Sequence, residues 1–457
     1  MPKTAAENSE YKNFLTQYPD IAEVEAFVVD ASGVLRGKRL PVAGIKKLFS
    51  GGLRMARSVY ALDIYGNDVL KAGLVTETGD GDGVCFAVKG SLKPVSWLDR
   101  PTAQVMLDMQ NVDGTEFFGN TRRILARVLE RFHAKGLSPV MATELEFYLY
   151  SIDKENRGYP APPLSPKTGR RQDAVQTYSI AEMREFDAVL SEIRAACEIQ
   201  GVPADTVLSE NGPGQFEVNL LHSNDILAAA DQAVYLKRIV KGAAEKHGLG
   251  ATFMAKPYSQ ESGNGFHTHI SVLDKNGGNI FAGKTQEGSE ALHHAAGGIL
   301  KHMADCMVVF APNINSYRRF GEGTHAPTKI AWGYDNRSVA LRVPDSDLEN
   351  TRLEHRVAGA DAHPYLVPAV ILGAMLDGIE KQIKPPPLLT GNAYDSDAET
   401  LPVTWGKALQ RFENSEFIAD TLGADYLRLY AACKRQEKTL FESRITDVEY
   451  NAYLRDV

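Results

Sequence analysis

The order of apolar and polar positions divides the chain into two unlike stretches. From residue 21 to about 115, short apolar runs alternate with polar positions around Gly and Asp turns, as in VEAFVVDASGVLRGKRLPV and VCFAVKGSLKPVSW. That spacing predicts a small sheet domain, because side chains two apart share one face of a strand. Residues 120–136 (NTRRILARVLERFHAKG) change to a helical period, with Asn120 or Thr121 as cap and Gly136 as stop. The change sets a boundary near 115. It leaves an N-terminal segment 1–20, a sheet domain 21–115 and a larger domain 116–457.

Beyond the boundary, helical and strand periods alternate. Helices are expected over 180–200, 225–247, 289–305 and 365–383, and strands over 139–150, 215–221, 266–273, 338–343 and 352–357. The proline-rich run 151–175 reads as a mobile loop, and the triplet Pro385–Pro387 ends a helix. The longest apolar stretch, Tyr365–Leu376, contains Pro368 and is too short to span a bilayer. The fold class is α+β.

Composition narrows the function. A hydrophobic fraction of 44% and a charged fraction of 24% are ordinary for a globular protein, and a net charge of −8 with no basic block argues against nucleic-acid or membrane-surface binding. Cys85, Cys197, Cys306 and Cys433 match no zinc or disulfide spacing and read as buried thiols in a reducing compartment. Met1–Asp20 has no apolar core of a secretory signal, so the chain reads as cytoplasmic.

Five segments put charge on one face of a strand. In MATELEFYLY, Glu144 and Glu146 point to one side while Leu145 and Phe147 point to the other. Glu210 precedes a Gly-Pro-Gly turn and Glu217 lies on the strand after it. His267, His269 and Ser271 share a face, as do Arg352, Glu354 and Arg356, and Arg337 precedes a strand that holds Arg342. A solvated sheet face explains any one segment equally well. Taken together, with strongly apolar flanks, they imply converging carboxylates that would repel unless cations lay between them. Glutamate oxygens with one or two imidazoles suit Mg²⁺ or Mn²⁺ better than zinc. Arginines dense from Arg318 to Arg356 suit phosphate and carboxylate ligands, with Arg318 better read as a surface residue.

The stretches TELEF, GPGQFEVNL, FMAKP, HTHIS, APNINSYRRF, IAWGYDNRSVALRVP and RLEHRVAGADAHPYL together resemble the glutamine synthetase family over nearly the whole chain. The resemblance implies an N-terminal β-grasp domain and a large catalytic domain whose curved antiparallel sheet forms a funnel. It implies that Glu146, Glu210 and Glu217 hold one metal, and that Glu144, His267 and Glu354 hold a second beside the ATP phosphates. Arg319, Arg337 and Arg356 would hold the glutamate carboxylate or the transferring phosphoryl group, and Gly263 would offer backbone at the amino-acid site. His269, Ser271, Arg342 and Arg352 match nucleotide-side positions. ATP, two or more Mg²⁺ or Mn²⁺ ions, glutamate and a nitrogen acceptor are the implied ligands. Stacked hexameric rings, a homo-dodecamer, are the implied assembly.

The chain departs from the family where the acceptor would bind. NSYRRFGEGTHAP carries His325 where the family has a flap glutamate, MARSVYALDIYGND lacks an Asp-Gly-Ser-Ser stretch, and Ser262 replaces an asparagine. Fewer anionic partners for ammonium make the pattern similar to the branch that ligates glutamate to organic amines, the γ-glutamylpolyamine ligases. Ammonium remains the alternative, and a non-catalytic sensor the alternative of another class. Asp63, Tyr65, Asp80 and Asp82 are candidates for a diamine's far end, although ordinary loop roles suit each of them better. Tyr394 falls near a tyrosine that some bacterial members adenylylate, in different local surroundings.

Overall fold

A computed structural model describes residues 7–153, 158–175, 177–321 and 324–457. Two sheets organise it. The first takes β1 (Glu23–Val29), β2 (Leu35–Pro41), β3 (Leu53–Ala56), β4 (Asp82–Ala87), β5 (Lys93–Val95) and β6 (Thr102–Gln110), in the order β2-β1-β6-β4-β3 with β5 on β6. β1 and β6 are parallel and the other pairs antiparallel, the β-grasp arrangement that was expected. Local chemistry sets the β1–β2 turn. Asp30 Oδ1 accepts the amides of Ser32 and Val34, both at 2.9 Å, and Gly33 takes a left-handed φ of 78°.

The second sheet contains β7 (Ser138–Asp153), β8 (Tyr159–Ala161), β9 (Ala204–Ser209), β10 (Gln215–Ser223), β11 (Gly250–Thr252), β12 (Phe266–Leu273), β13 (Trp332–Tyr334), β14 (Leu341–Val343) and β15 (Leu353–His355). Its order is β13-β14-β15-β12-β7-β10-β9, with β8 and β11 also on β7. Every pair except β13–β14 is antiparallel. One face of the central strands is mostly apolar: Leu145, Phe147, Phe216, Val218 and Ile270 are buried, with Thr143 and Thr268 facing each other among them, and the helix Ile226–Lys246 packs on β7 and β10. The helix Leu366–Lys381 is buried from Leu366 to Gly378, so the apolar stretch singled out in the sequence is a core helix. No described helix is long and apolar enough to cross a membrane.

Most expected elements appear within a few residues of their limits. Three differ for identifiable reasons. The expected helix 180–200 breaks at Phe186 into Ile180–Glu185 and Asp187–Gln200. Asn120 precedes the helix Thr121–His133 but does not cap it, because its amide is drawn to Asp108 Oδ1 (2.6 Å) and the Met109 carbonyl (3.2 Å) of β6. Part of the run 151–175 is ordered strand: β7 continues into it and pairs with β8, while 154–157 lie outside the described residues. All four cysteines are buried and free.

Candidate active site

Strand register builds the site. On the polar face of the second sheet, Glu217 of β10 stands opposite Glu146 of β7, and Asn219 opposite Glu144. On the other side of β7, His267 of β12 stands opposite Glu144; His269 pairs with Glu354 of β15, and Glu354 with Arg342 of β14. Five adjacent strands thus carry charged side chains on one wall, and the alternation in TELEF and HTHIS is what turns them to the same side.

Glu144 is the centre of the wall. Its Oε2 lies 3.1 Å from His267 Nδ1 and its Oε1 2.8 Å from His269 Nε2. Arg352 Nε donates to His269 Nδ1 at 3.3 Å, which leaves the imidazole proton on Nε2, facing Glu144. Ligand atoms of Glu144, Glu217 and His267 fall within 4.8 Å of one another, as do those of Glu144, His269 and Glu354. Four of the six expected ligand positions, Glu144, Glu217, His267 and Glu354, are therefore grouped around Glu144, but in triplets other than the expected ones: His267 falls with Glu217, His269 joins Glu354, and Glu146 and Glu210 are in neither. Glu146 Oε2 accepts Gly265 N (2.7 Å) and Gln215 Nε2 (3.3 Å), while its Oε1 faces His267 Nε2 at 3.9 Å. Glu210, at the turn before β10, is close enough to raise the pKa of Glu217.

The electrostatics split the carboxylates into two kinds. Burial pushes Glu354 up, but Arg356, His269 and His267 outweigh it and hold the group down at about 2. Arg342 Nη1 donates to its Oε2 at 2.8 Å and Arg356 Nη1 to its Oε1. Glu217 is the opposite case. Burial and then the charges of Glu144, Glu146 and Glu210 push it up to about 10. Glu210 is raised to about 7 by burial and by Glu146. A buried carboxylate facing other carboxylates is costly as an anion. Oxygen-rich donors with an imidazole, in a wall that repels itself, fit hard divalent cations.

Arginines close the other side. Arg319 is buried at 3% exposure and its Nη1 donates to the Val357 carbonyl at 2.8 Å, while Arg356 is buried beside Glu354. Arg337 is exposed and within electrostatic reach of Glu210; Arg318 is exposed, as the sequence suggested. Two glycines make room. A Cβ at Gly265 would lie 2.7 Å from His267 Nε2 and 3.0 Å from Glu146 Oε1, and one at Gly263 would meet the Arg319 stem at 2.6 Å. His269, Ser271 and Arg352, three of the four expected nucleotide-side positions, line a cleft of about 530 Å³ with Glu144, Asn219 and His222; Arg342 is not among its lining residues and bonds Glu354 and Asp335 instead. A separate apolar groove of about 730 Å³, between the helix Glu290–His302 and residues 383–399, holds none of these carboxylates.

Sequence reasoning passed over Gln215. It is buried, and its Nε2 reaches Glu146 Oε2, the Gly263 carbonyl (3.1 Å) and Asn264 Oδ1 (2.9 Å). The available signal was its position two before Glu217, on the same face. Asn211 was also missed; its Nδ2 donates to Ser262 Oγ at 2.8 Å, across the place where the expected asparagine is lacking. His325 is exposed and adopts a left-handed φ of 58°. Asp63 is fully buried, with its oxygens taken by Tyr65 N, Asn67 and Gln436, so it offers nothing to a bound amine. Tyr65 packs against Phe441 and Arg444, whereas Asp80 and Asp82 are exposed.

The chain belongs to the glutamine synthetase family: the family profile described as glutamine synthetase, catalytic domain, matches residues 118–453. Among its relatives, gamma-glutamylputrescine synthetase of Escherichia coli is 40% identical over 99% of this chain and 96% of its own length. Gamma-glutamylethanolamide synthetase of Streptomyces coelicolor is 32% identical over 94% of this chain and 92% of its own. A solved structure titled as a GmaS/ADP complex superposes with a TM-score of 0.82 at 30% identity, covering 96% of this chain and 98% of that one.

Proposed function

We propose that the protein joins the γ-carboxylate of glutamate to an organic amine at the expense of ATP. The observation that carries the reading is the wall of Glu144, Glu217, His267 and Glu354 beside buried Arg319 and Arg356, in a chain of the glutamine synthetase family. Two divalent ions, Mg²⁺ or Mn²⁺, would be held by Glu146, Glu210 and Glu217 and by Glu144, His267 and Glu354. When bound they supply charge neutralisation for the phosphates.

The chain's own groups do the rest. Arg319, Arg337 and Arg356 orient the glutamate carboxylate and the γ-phosphoryl group, and Gly263 presents backbone to the amino acid. The carboxylate oxygen attacks the γ-phosphorus and ADP leaves, giving a γ-glutamyl phosphate. His269, Ser271, Arg342 and Arg352 hold the nucleotide side during this step. The amine nitrogen then attacks the carbonyl carbon, phosphate leaves, and the excess proton passes to His325. Arginine N–H groups stabilise the oxyanion of this second step.

An organic acceptor is supported by two features. His325 stands where a flap glutamate would bind ammonium, and two relatives are named as makers of γ-glutamyl amides of putrescine and ethanolamine. The same reading places the protein in the cytoplasm as a homo-oligomer, a dodecamer of two hexameric rings, with its boundary near residue 115. The test is phosphate release with ATP, Mg²⁺ and glutamate against ammonium and a panel of mono-, di- and polyamines. A diamine or monoamine is expected to give the highest kcat/KM. Preference for ammonium would overturn the acceptor, and no turnover with any nitrogen would overturn the ligase.

A further inference from the structure

Residues 389–401 are stitched to two segments that border the site. Toward the Arg337 turn, Asn336 Nδ2 donates to the Gly391 carbonyl (2.7 Å), and the Ala393 amide donates to Ser338 Oγ (2.9 Å). Toward the segment that follows His325, the Ile330 amide donates to the Glu399 carbonyl (2.7 Å) and the Leu401 amide to the Thr328 carbonyl (2.9 Å). Ala331, Val339 and Ala393, with Leu389 and Ala398, form a small apolar cluster separate from the main core. The three segments therefore share a packing unit of their own.

One side chain reaches from this unit to the turn at His325. Tyr394 is half-buried and its Oη donates to the Ala326 carbonyl at 2.9 Å. Its hydroxyl feels the charges of Arg319 and Arg356, so it lies on the arginine side of the wall. His325, the residue before Ala326, holds a left-handed backbone conformation, uncommon outside glycine but better tolerated by His than by most residues. Ala326 and Pro327 are buried, which anchors the turn on one side, and the Tyr394 hydroxyl ties it from the other.

We propose that Tyr394 is a positioning residue for the acceptor step: its hydroxyl, bonded to Ala326, fixes the turn that presents His325 to the amine. The inference rests on the ligase reading. It makes residues 389–401 the link through which the Arg337 turn and the His325 turn keep a common position. The Tyr394–Ala326 bond serves the second half-reaction alone, since phosphoryl transfer to glutamate needs no amine, whereas the Arg337 turn is held by the separate bonds of Asn336 and Ser338.

The test is Tyr394→Phe, which keeps the ring and removes the hydroxyl. One lost hydrogen bond of ordinary strength corresponds to roughly fivefold in an equilibrium constant. The amine KM should rise by about that factor while the KM values for ATP and glutamate stay within about twofold. ADP release without amide product should increase, because the acyl phosphate waits longer for its nucleophile. Ser338→Ala loosens the same link from its other end, and adding it to Tyr394→Phe should change the amine KM by less than the product of the single effects. An unchanged amine KM, or equal loss of kcat with every substrate, would overturn the role. Wild-type protein inactive with every amine would instead remove the ligase reading, and a large drop in melting temperature in Tyr394→Phe would make Tyr394 a structural residue.

Discussion

Glu217 on β10 stands directly across the strand pair from Glu146 on β7, and both are buried. Like charges in that relation destabilise a sheet, so the pair belongs to a wall built to be completed by cations. The sign of the pH effect follows. Glu217 and Glu210 are raised to about 10 and about 7 from an ordinary 4.5, so the folded state holds more protons than the unfolded one between these values. Their contribution to stability is present below the ordinary value and lost as pH rises through the raised ones. The contribution of this pair to the melting temperature of metal-free protein should therefore shrink from about pH 5 to about pH 8, read as the difference from Glu217→Gln, and added Mg²⁺ should raise the melting temperature more at the higher pH, because binding displaces protons. Equal Mg²⁺ shifts across that range, by scanning calorimetry, would contradict the wall.

Glu217→Gln separates stability from function. It puts a neutral amide of the same shape where burial keeps the carboxyl protonated, so folding no longer has to take up that proton and metal-free protein should melt at the same or a higher temperature at about pH 8. The Mg²⁺-dependent shift should shrink and turnover fall by at least about a hundredfold. Thermal melts with and without Mg²⁺, set beside the ligase assay, check both. Near-normal turnover would remove Glu217 from the metal site.

Glu354 makes the converse case. It is buried between Arg342 and Arg356 and held near 2, so the arginines are part of the fold as well as of the chemistry. Arg356→Met should cost about 3 kcal/mol or more, since it leaves a buried carboxylate with half its partners. Denaturant unfolding measures this, and a change below about 1 kcal/mol would place Arg356 outside the buried network.

How much of this was legible in the sequence depended on whether the signal was periodic. The alternation in TELEF and HTHIS was enough to put Glu144, Glu146, His267 and His269 on one face, and β12 fell on the expected limits Phe266–Leu273. β14 and β15 came out shorter than expected, at Leu341–Val343 and Leu353–His355, although a backbone bond from Arg356 N to the Ala340 carbonyl (3.0 Å) still joins their flanks. Contacts between distant segments left no local trace: nothing near Tyr394 announces Ala326, and Asn120 looks like a cap until Asp108 is seen beside it. Asp63 shows the same limit, since its burial depends on Gln436 far along the chain.

Gly265→Ala tests close approach at the centre of the site. Its Cβ would meet His267 Nε2, Arg319 Nη2 and Glu146 Oε1 at 2.7–3.0 Å, all of them groups whose positions the chemistry needs. The variant should fold, because the clash lies with side-chain ends at the wall, but the metal concentration for half-maximal rate should rise by at least about tenfold. Wild-type metal dependence would show that the wall adjusts without cost.

His325→Glu carries the question of the acceptor. A carboxylate at this position would offer an anion to ammonium, which the imidazole does not, and would crowd a larger amine at the same place. The left-handed turn suits His better than Glu, so the variant also pays about 1 kcal/mol in backbone strain, which lowers turnover with every acceptor alike. The readout is therefore the ratio of kcat/KM for ammonium to that for the best amine, in which a common loss cancels. That ratio should rise by at least about tenfold, or 1.4 kcal/mol of discrimination. If it stays at the wild-type value while both rates fall together, His325 shapes the turn but does not choose the nitrogen, and the choice lies with other groups around Glu210.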